Sequence, residues 1–330
     1  MTRPSDRLTN SLAQLDGPIM ILGGSGKMGK EIVGLIKNAD KLNGVKRQIS
    51  VASTFSDPSG RDLALLEQLN VTCFKGDLTD KKFLNSLPDV PNVIYMMGFK
   101  FGSSDNWERS FHLNSIVPFL IGSKYNKSKI IVFSSGNPYP HTPKSLAGCN
   151  EDAQLAPLGI YGWSIVARES SFTITAKSNT AQKIAFYRLM YAQHLHYGVL
   201  IDLAKMVKTG APISLAMPAV NLVSQRDANE VAIRCFESCD NNPWTLNIAG
   251  PVWQVRDIVS RMEHYLGKKA VLLDDEEELA LLAGDTKCLE TFGSYEDDCE
   301  DMILGASNWV KNGGTFWNKP THFGRAKHDY

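Results

Sequence analysis

Residues 23–29 form the motif with the clearest chemistry and read Gly-Gly-Ser-Gly-Lys-Met-Gly. Glycines at 23, 26 and 29 give a G-x-x-G-x-x-G spacing, close to but distinct from the G-x-G-x-x-G of dinucleotide-binding turns. Such a turn lets a pyrophosphate approach the backbone because no Cβ intervenes, and the helix that follows offers free N–H groups. We therefore predict a phosphate site rather than a purely structural turn, formed by Gly23, Ser25, Gly26, Lys27, Met28 and Gly29.

A second short motif, Gly76-Asp77-Leu78, follows the third predicted strand. Asp77 could accept a hydrogen bond from an adenine amino group, and Leu78 could cover the ring. On its own this tripeptide is a common turn. It supports the glycine motif because both follow strands of the same predicted sheet.

Hydrolase and metal chemistry find little support in the sequence. The Gly-x-Ser-x-Gly pattern of a hydrolase nucleophile is absent. His194 and His196 are two residues apart, so on a helix they point to different sides, and we expect no metal site there. The six cysteines include no Cys-x-x-Cys pair, and the spacing of Cys235 and Cys239 is more typical of two packed thiols.

The elements that position these motifs alternate along the chain, because short apolar runs alternate with helical patterns from residue 19 onward. A long helix is predicted at 104–125, with a bend at Pro118. Strand–helix alternation predicts βαβ units and a doubly wound parallel sheet, the Rossmann type of α/β fold. We expect a polar tail at 1–17, a nucleotide-binding domain at 18–190 and a smaller α+β substrate-binding cap at 191–330.

Composition excludes several classes of partner. The chain has 330 residues with 35 basic and 35 acidic side chains, so we expect neither nucleic acid nor an anionic membrane surface as a partner. No apolar run reaches the length of about 18 residues that a transmembrane helix needs. The N-terminus lacks the apolar region of a signal peptide. We therefore expect a cytoplasmic protein that acts on a small molecule.

The order of the motifs resembles the extended short-chain dehydrogenase/reductase superfamily, of the NAD(P)-dependent epimerase/dehydratase type. The resemblance covers roughly residues 18–260 and rests on the glycine motif together with 76–78, 92–98, Asn114, 131–135, 161–164, 187–191 and 225–228. It implies an NAD(P)-dependent oxidoreductase or epimerase acting on a hydroxyl or ketone of a sugar-like substrate, such as a nucleotide sugar or sugar acid. It also implies that Met97, Gly98, Asn114 and Tyr161 contact the cofactor, and that helices near the last two form a homodimer.

The catalytic pair that the resemblance implies is incomplete here. In the superfamily a Tyr acts as acid and base, and a Lys one helical turn later lowers its pKa. Tyr161 matches the Tyr, but position 165 is Ile, which can neither lower a pKa nor relay a proton. Arg168 is on the same face but about 10 Å along the helix axis. Lys100 is a candidate surrogate cation, and a surface lysine is an equal alternative.

The substrate-holding hydroxyl is also altered, because its usual position falls at Gly136. Ser135 or Asn137 could bond a substrate oxygen instead, and Ser134 completes the candidate set. A serine pair at the end of a strand is also a plain turn, so both interpretations stay open.

The cofactor-selecting position reads Ala-Ser-Thr-Phe at 52–55. An acidic residue there selects NAD in the superfamily, and a basic residue nearby suits NADP. Ser53 and Thr54 accept either cofactor, and Arg61 is a candidate to bind a 2′-phosphate. We therefore predict NADP or NAD, with a slight preference for NADP.

Two alternatives to the oxidoreductase or epimerase stay open. Because Ile165 replaces the Lys, the chain could be a dinucleotide-binding regulatory or scaffold protein without turnover. It could also be a reductase of a non-sugar carbonyl.

Overall fold

The structure is a computed structural model that describes residues 2–317, 321 and 323. Its strands are β1 (Ile19–Leu22), β2 (Ile49–Ser53), β3 (Thr72–Lys75), β4 (Asn92–Tyr95), β5 (Lys129–Ser135), β6 (Thr142–Pro143), β7 (Lys183–Leu189), β8 (Ala192–Gln193), β9 (Pro212–Ile213), β10 (Ala219–Asn221), β11 (Val223–Ser224), β12 (Trp244–Ile248), β13 (Val252–Gln254), β14 (Val271–Leu272) and β15 (Leu279–Ala280). Its α-helices are α1 (Asp6–Ala13), α2 (Gly29–Leu42), α3 (Arg61–Gln68), α4 (Lys81–Ser86), α5 (Trp107–Phe111), α6 (Val117–Lys124), α7 (Gly159–Ser178), α8 (Val199–Thr209), α9 (Gln225–Arg234), α10 (Val255–Leu266), α11 (Thr286–Phe292) and α12 (Cys299–Lys311).

The main sheet has the strand order β12-β7-β5-β4-β1-β2-β3. Strand β1 pairs in parallel with both β2 and β4, so Ile19 lies beside Ile49 on one side and Asn92 on the other. All four residues of β1 are fully buried, as expected for a central parallel strand covered on both faces. The strand order reverses at β1, which confirms the predicted doubly wound α/β fold.

The described chain divides into two compact units, and the division differs from the predicted boundary at 190. The first comprises Met1–Ser134, Trp163–Arg188 and Asn229–Leu246, and the second comprises Ser135–Gly162, Leu189–Ala228 and Asn247–Tyr330. The chain therefore passes from one unit to the other several times, and each unit consists of segments that are distant in sequence. In the second unit α8, α10 and α12 pack around one apolar cluster.

The segment predicted as a polar tail contains helix α1 instead. Leu8 and Leu12, four residues apart, lie on one face of α1 and are buried. Ser5 caps the helix by accepting a hydrogen bond from the Leu8 N–H, and its hydroxyl donates to Glu230. Two leucines at helical spacing are enough to hold a short, otherwise polar helix on the core.

Arg47 ties this N-terminal segment to the sheet. Its guanidinium donates to the carbonyl oxygens of Leu12, Leu15 and Gly17, and its Nε lies 3.2 Å from an Oδ of Asp40. Both side chains of the ion pair are buried. Burial raises the pKa of Asp40 in spite of the nearby Arg47.

The helix predicted at 104–125 is interrupted by a π-helical turn at His112–Ile116. The Val117 N–H bonds to the carbonyl of His112, five residues back. Pro118 has no N–H to donate to Asn114, so a regular α-helical ladder is already broken at this point. The interruption therefore lies just before the proline, and the bend itself stays a prediction.

No helix in the described part of the chain is both long and apolar enough to cross a membrane.

We expect Arg47→Met to lower the free energy of unfolding by about 3 kcal/mol, because it leaves the Asp40 carboxylate buried without its partner. Urea denaturation followed by circular dichroism measures the change. The double variant Arg47→Met/Asp40→Asn should recover part of the loss. A loss below about 1 kcal/mol in the single variant would contradict this account of the buried Arg47–Asp40 ion pair.

Candidate functional site: a packed glycine turn at the end of the first strand

Three glycines of the 23–29 turn are required by packing. A Cβ on Gly23, which has a φ of +81°, would lie 2.9 Å from the Met97 backbone nitrogen. A Cβ on Gly29 would overlap the Gly24 carbonyl, and one on Gly24 would lie 2.8 Å from the Ile21 side chain. The turn is therefore closed against the end of β4 on one side and against the start of α2 on the other.

Gly26 is different, because packing does not require it to be glycine. Only the Gly23 carbonyl lies near the position of its Cβ, at an ordinary 3.8 Å, and the residue is exposed. Helix α2 begins at Gly29, and no side chain caps its N-terminus. The turn thus presents an open backbone surface beside a helix N-terminus, the arrangement that binds phosphate groups.

The residues predicted to read the ribose lie at the end of β2. The Ser53 hydroxyl bonds that of Ser25 at 2.6 Å and so joins β2 to the glycine turn. Thr54 is exposed, and Arg61 is exposed at the start of α3. Asp62, the acidic residue in the first turn of α3, forms an ion pair with Lys30 of α2.

The Gly76–Leu78 motif is a turn after β3. Asp77 is exposed, and its carboxylate accepts a hydrogen bond from the Thr79 N–H at 2.9 Å. Leu78 is buried in the core cluster of the first unit. Asp77 is therefore available to a ligand, whereas most of Leu78 is used in packing.

Asn114 lies on the π-helical turn and holds the loop after β4. Its side chain accepts from the Phe99 N–H at 3.0 Å and donates to the Phe99 carbonyl at 2.8 Å and to the Ser164 hydroxyl at 2.9 Å. Arg168 donates to the same Asn114 oxygen, and Gly98 lies so close to Arg168 that a Cβ would overlap its guanidinium. Asn114 and Arg168 thus hold the loop that contains Gly98 in place.

Lys100, the candidate surrogate cation, lies on this same loop. Burial of its ammonium group lowers its pKa to about 8. Its Nζ lies 5.9 Å from the centre of the Phe101 ring. This environment differs from that of a solvated surface lysine.

Tyr161 and Ile165 both lie on α7, one turn apart. Tyr161 is 9% exposed, and Ile165 is fully buried. The residue at the usual Lys position therefore belongs to the apolar core.

The three other catalytic candidates have local partners. In the first unit the Ser134 hydroxyl donates to Glu169 at 2.5 Å, so it faces a buried ion pair. In the second unit the Ser135 hydroxyl donates to the Asn137 side chain at 2.8 Å and accepts from its N–H. A Cβ on Gly136, between these two residues, would overlap the Met190 sulfur, so a side chain there would require the flexible Met190 side chain to move.

Ser134 has a buried acidic partner that the sequence motifs do not indicate. Glu169 of α7 pairs with Arg188 of β7 through two hydrogen bonds of 2.9 and 2.7 Å. A signal was available, because an arginine within the otherwise apolar strand 183–189 needs a buried acidic partner.

The described residues contain no group of three or more His, Cys, Asp or Glu side chains that could hold a metal. His194 and His196 stack instead on Trp317, with ring centres at 4.7 and 5.8 Å.

No protein-family model matches the sequence, and no curated protein matches it. Many solved structures do match. A UDP-Glc/GlcNAc 4-epimerase from Campylobacter jejuni is 17% identical, with a TM-score of 0.71 over 90% of this chain and 100% of its own. A UDP-glucose 4-epimerase from Thermus thermophilus, solved with NAD, is 17% identical with a TM-score of 0.70 over 88% and 98%. A UDP-glucuronic acid 4-epimerase from Bacillus cereus, solved with NAD, is 15% identical with a TM-score of 0.70 over 89% and 99%.

The class that this fold defines is therefore the Rossmann-type α/β protein. The chain shares that fold with the nucleotide-sugar epimerases over nearly its whole length.

We expect Gly26→Val to abolish detectable dinucleotide binding without lowering the melting temperature by more than a few degrees, because the added side chain fills the open surface of the turn and nothing else. Calorimetric titration and thermal unfolding measure the two effects. Gly29→Val is the matched contrast, and it should destabilise the protein because its side chain meets the Gly24 backbone. Undiminished binding by Gly26→Val would remove the turn from the site.

Proposed function

We propose that the chain belongs to the extended short-chain dehydrogenase/reductase superfamily and is a dinucleotide-dependent oxidoreductase or epimerase that acts on a hydroxyl or ketone of a sugar-like substrate. The observation that carries this proposal is the open surface at Gly26 within an otherwise closed turn. A purely structural turn has no need of glycine at a position where a side chain would meet only open space.

The substrate class is supported by the comparisons. The matching structures include epimerases of UDP-glucose and UDP-glucuronic acid. At 13–17% identity this likeness concerns the fold, so a nucleotide-sugar or sugar-acid substrate is a proposal for this chain.

The cofactor fits the residues of the first unit. The glycine turn would hold the pyrophosphate, Ser53 and Thr54 the ribose, and Asp77 the adenine. Solved relatives of this fold contain NAD, which gives no support to the predicted preference for NADP. Nevertheless positions 52–55 offer no carboxylate to a ribose and Arg61 is exposed, so we retain both cofactors in the proposal.

Tyr161 is the residue proposed to move the proton. When bound, the nicotinamide supplies the acceptor and donor of a hydride at the carbinol carbon. Tyr161 would take the hydroxyl proton as the carbonyl forms and return it in the reverse direction. Ser135 would orient the substrate oxygen through its hydroxyl, with Asn137 fixing that hydroxyl.

A dinucleotide-binding regulatory protein without turnover is the second candidate, and one observation favours it. Ile165 is wholly buried, so no cation occupies the position that normally assists the Tyr. Turnover with any sugar, sugar acid or nucleotide sugar separates the two candidates.

We expect Tyr161→Phe to lower kcat by about 10²- to 10⁴-fold while the dissociation constant of the dinucleotide stays within about twofold. Near-ultraviolet absorbance of the reduced nicotinamide reports net oxidation or reduction across a panel of sugars, and chromatographic separation of the products reports epimerisation. Tyr125→Phe is the matched control, because its buried hydroxyl has no hydrogen-bond partner and its removal should leave kcat unchanged. Equal turnover by Tyr161→Phe and the unaltered protein would refute the mechanism.

We also propose a homodimer formed through the first unit. Its α5–α6 segment and α7 expose several large apolar side chains: Trp107, Ile116, Phe119, Trp163 and Ile174. Apolar groups exposed in such number often mark a protein–protein interface.

A cytoplasmic location stays a prediction.

We expect sedimentation equilibrium to give twice the chain mass of 36.5 kDa, and Phe119→Glu/Trp163→Glu to give the single chain mass. A charge placed in an apolar interface has to be desolvated, which opposes association. Leu42→Glu, at another exposed leucine, is the control that should stay dimeric. A monomeric unaltered protein would overturn the proposal.

A further inference from the structure

Three arginines are buried in the described part of the chain, and they differ in how their charge is balanced. Arg47 is paired with Asp40, and Arg188 is paired with Glu169. Arg168, only 4% exposed, forms no ion pair with any described carboxylate. A buried guanidinium without a counter-charge is costly, so it calls for an explanation beyond packing.

The partners of Arg168 are all neutral. Its Nη1 donates to the Phe133 carbonyl at 2.7 Å, and its Nη2 donates to the Asn114 side chain at 2.5 Å. The guanidinium lies 5.7 Å from the centre of the Tyr95 ring, and its Nε has no hydrogen-bond partner. These contacts give partners to some of the guanidinium N–H donors and fix the orientation of the group, but they do not neutralise its positive charge.

Glu169, the next residue along α7, does not provide the missing charge. Its two carboxylate oxygens accept from Arg188 and from the Ser134 hydroxyl. Successive residues of a helix point about 100° apart, so the two side chains leave α7 in different directions. The Glu169–Arg188 pair has no net charge, so it does not compensate the positive charge of Arg168.

The unbalanced charge lies beside the proposed dinucleotide site. Phe133 is in β5 and Tyr95 ends β4, so the guanidinium is near the carboxyl ends of these strands. It packs directly under Gly98, and the neighbouring Met97 packs against Gly23 of the glycine turn. In doubly wound folds a dinucleotide crosses the switch point, with its adenosine half on the β2 side. The nicotinamide half then belongs to the β4–β5 side.

We propose that Arg168 biases this site towards the reduced form of the dinucleotide, an inference that rests on the proposed function. The oxidised nicotinamide ring carries a positive charge and the reduced ring is neutral. A fixed cation below Gly98 therefore raises the free energy of the oxidised form relative to the reduced form. The residue favours transfer of a hydride from the substrate to the cofactor, and it provides positive potential that Ile165 does not.

The test compares dissociation constants for oxidised and reduced cofactor, measured by calorimetry and by fluorescence of the reduced form. The unaltered protein should bind the reduced form about tenfold more tightly. Arg168→Gln should bring the two constants close together, and Arg168→Lys should preserve most of the difference. Lys124→Gln, which removes a half-buried cation that pairs with the exposed Asp89, should leave the ratio unchanged.

The outcomes separate this inference from the proposed function. Failure of the unaltered protein to bind any dinucleotide would refute the proposed function. Equal affinity of the unaltered protein for both forms would overturn the role of Arg168, and this measurement needs no variant to fold. An unchanged ratio in Arg168→Gln with a cooperative melting transition would overturn it as well.

Discussion

The glycine turn after β1 is the constraint on which the rest of the structure depends. Strand β1 is hydrogen-bonded on both sides, so the chain that leaves it has to turn in the narrow space between β2 and β4. Gly23 meets the backbone at Met97, and Gly29 meets the backbone at Gly24. Side chains at these positions would push α2 away from the sheet and so disturb both the core and the candidate site.

Buried side chains on both sides of the glycine turn also hold the backbone of the candidate site in place. The loop that contains Gly98 has its backbone fixed by Asn114 and its lower surface filled by Arg168. The Ser25–Ser53 hydrogen bond fixes the other side of the turn. The open part at Gly26 therefore lies on a rigid frame, which reduces the entropy that binding a ligand would cost.

The sheet and the glycine turn could be predicted from sequence because both are local patterns. Apolar runs of four to seven residues place the strands, and the spacing of 23, 26 and 29 places the turn. The absence of a charged partner at Arg168 among the described residues could not be predicted in this way. Glu169 is its neighbour in sequence on α7 and looks like its partner, yet Glu169 bonds Arg188, a residue on strand β7. Helix α1 was missed because two buried leucines are a weak signal in a polar segment. Charge balance in a core depends on contacts between distant segments, which periodicity does not report.

The π-helical turn at His112–Ile116 has a consequence for comparing this chain with others. Such a turn holds one residue more than an α-helical turn, so it rotates everything after it by about 100° relative to a regular helix. A sequence that lacks the extra residue would present a different side chain to the Phe99 loop. An alignment with a sequence that lacks the extra residue therefore needs a one-residue gap in this helix to keep Asn114 on the face that holds Phe99.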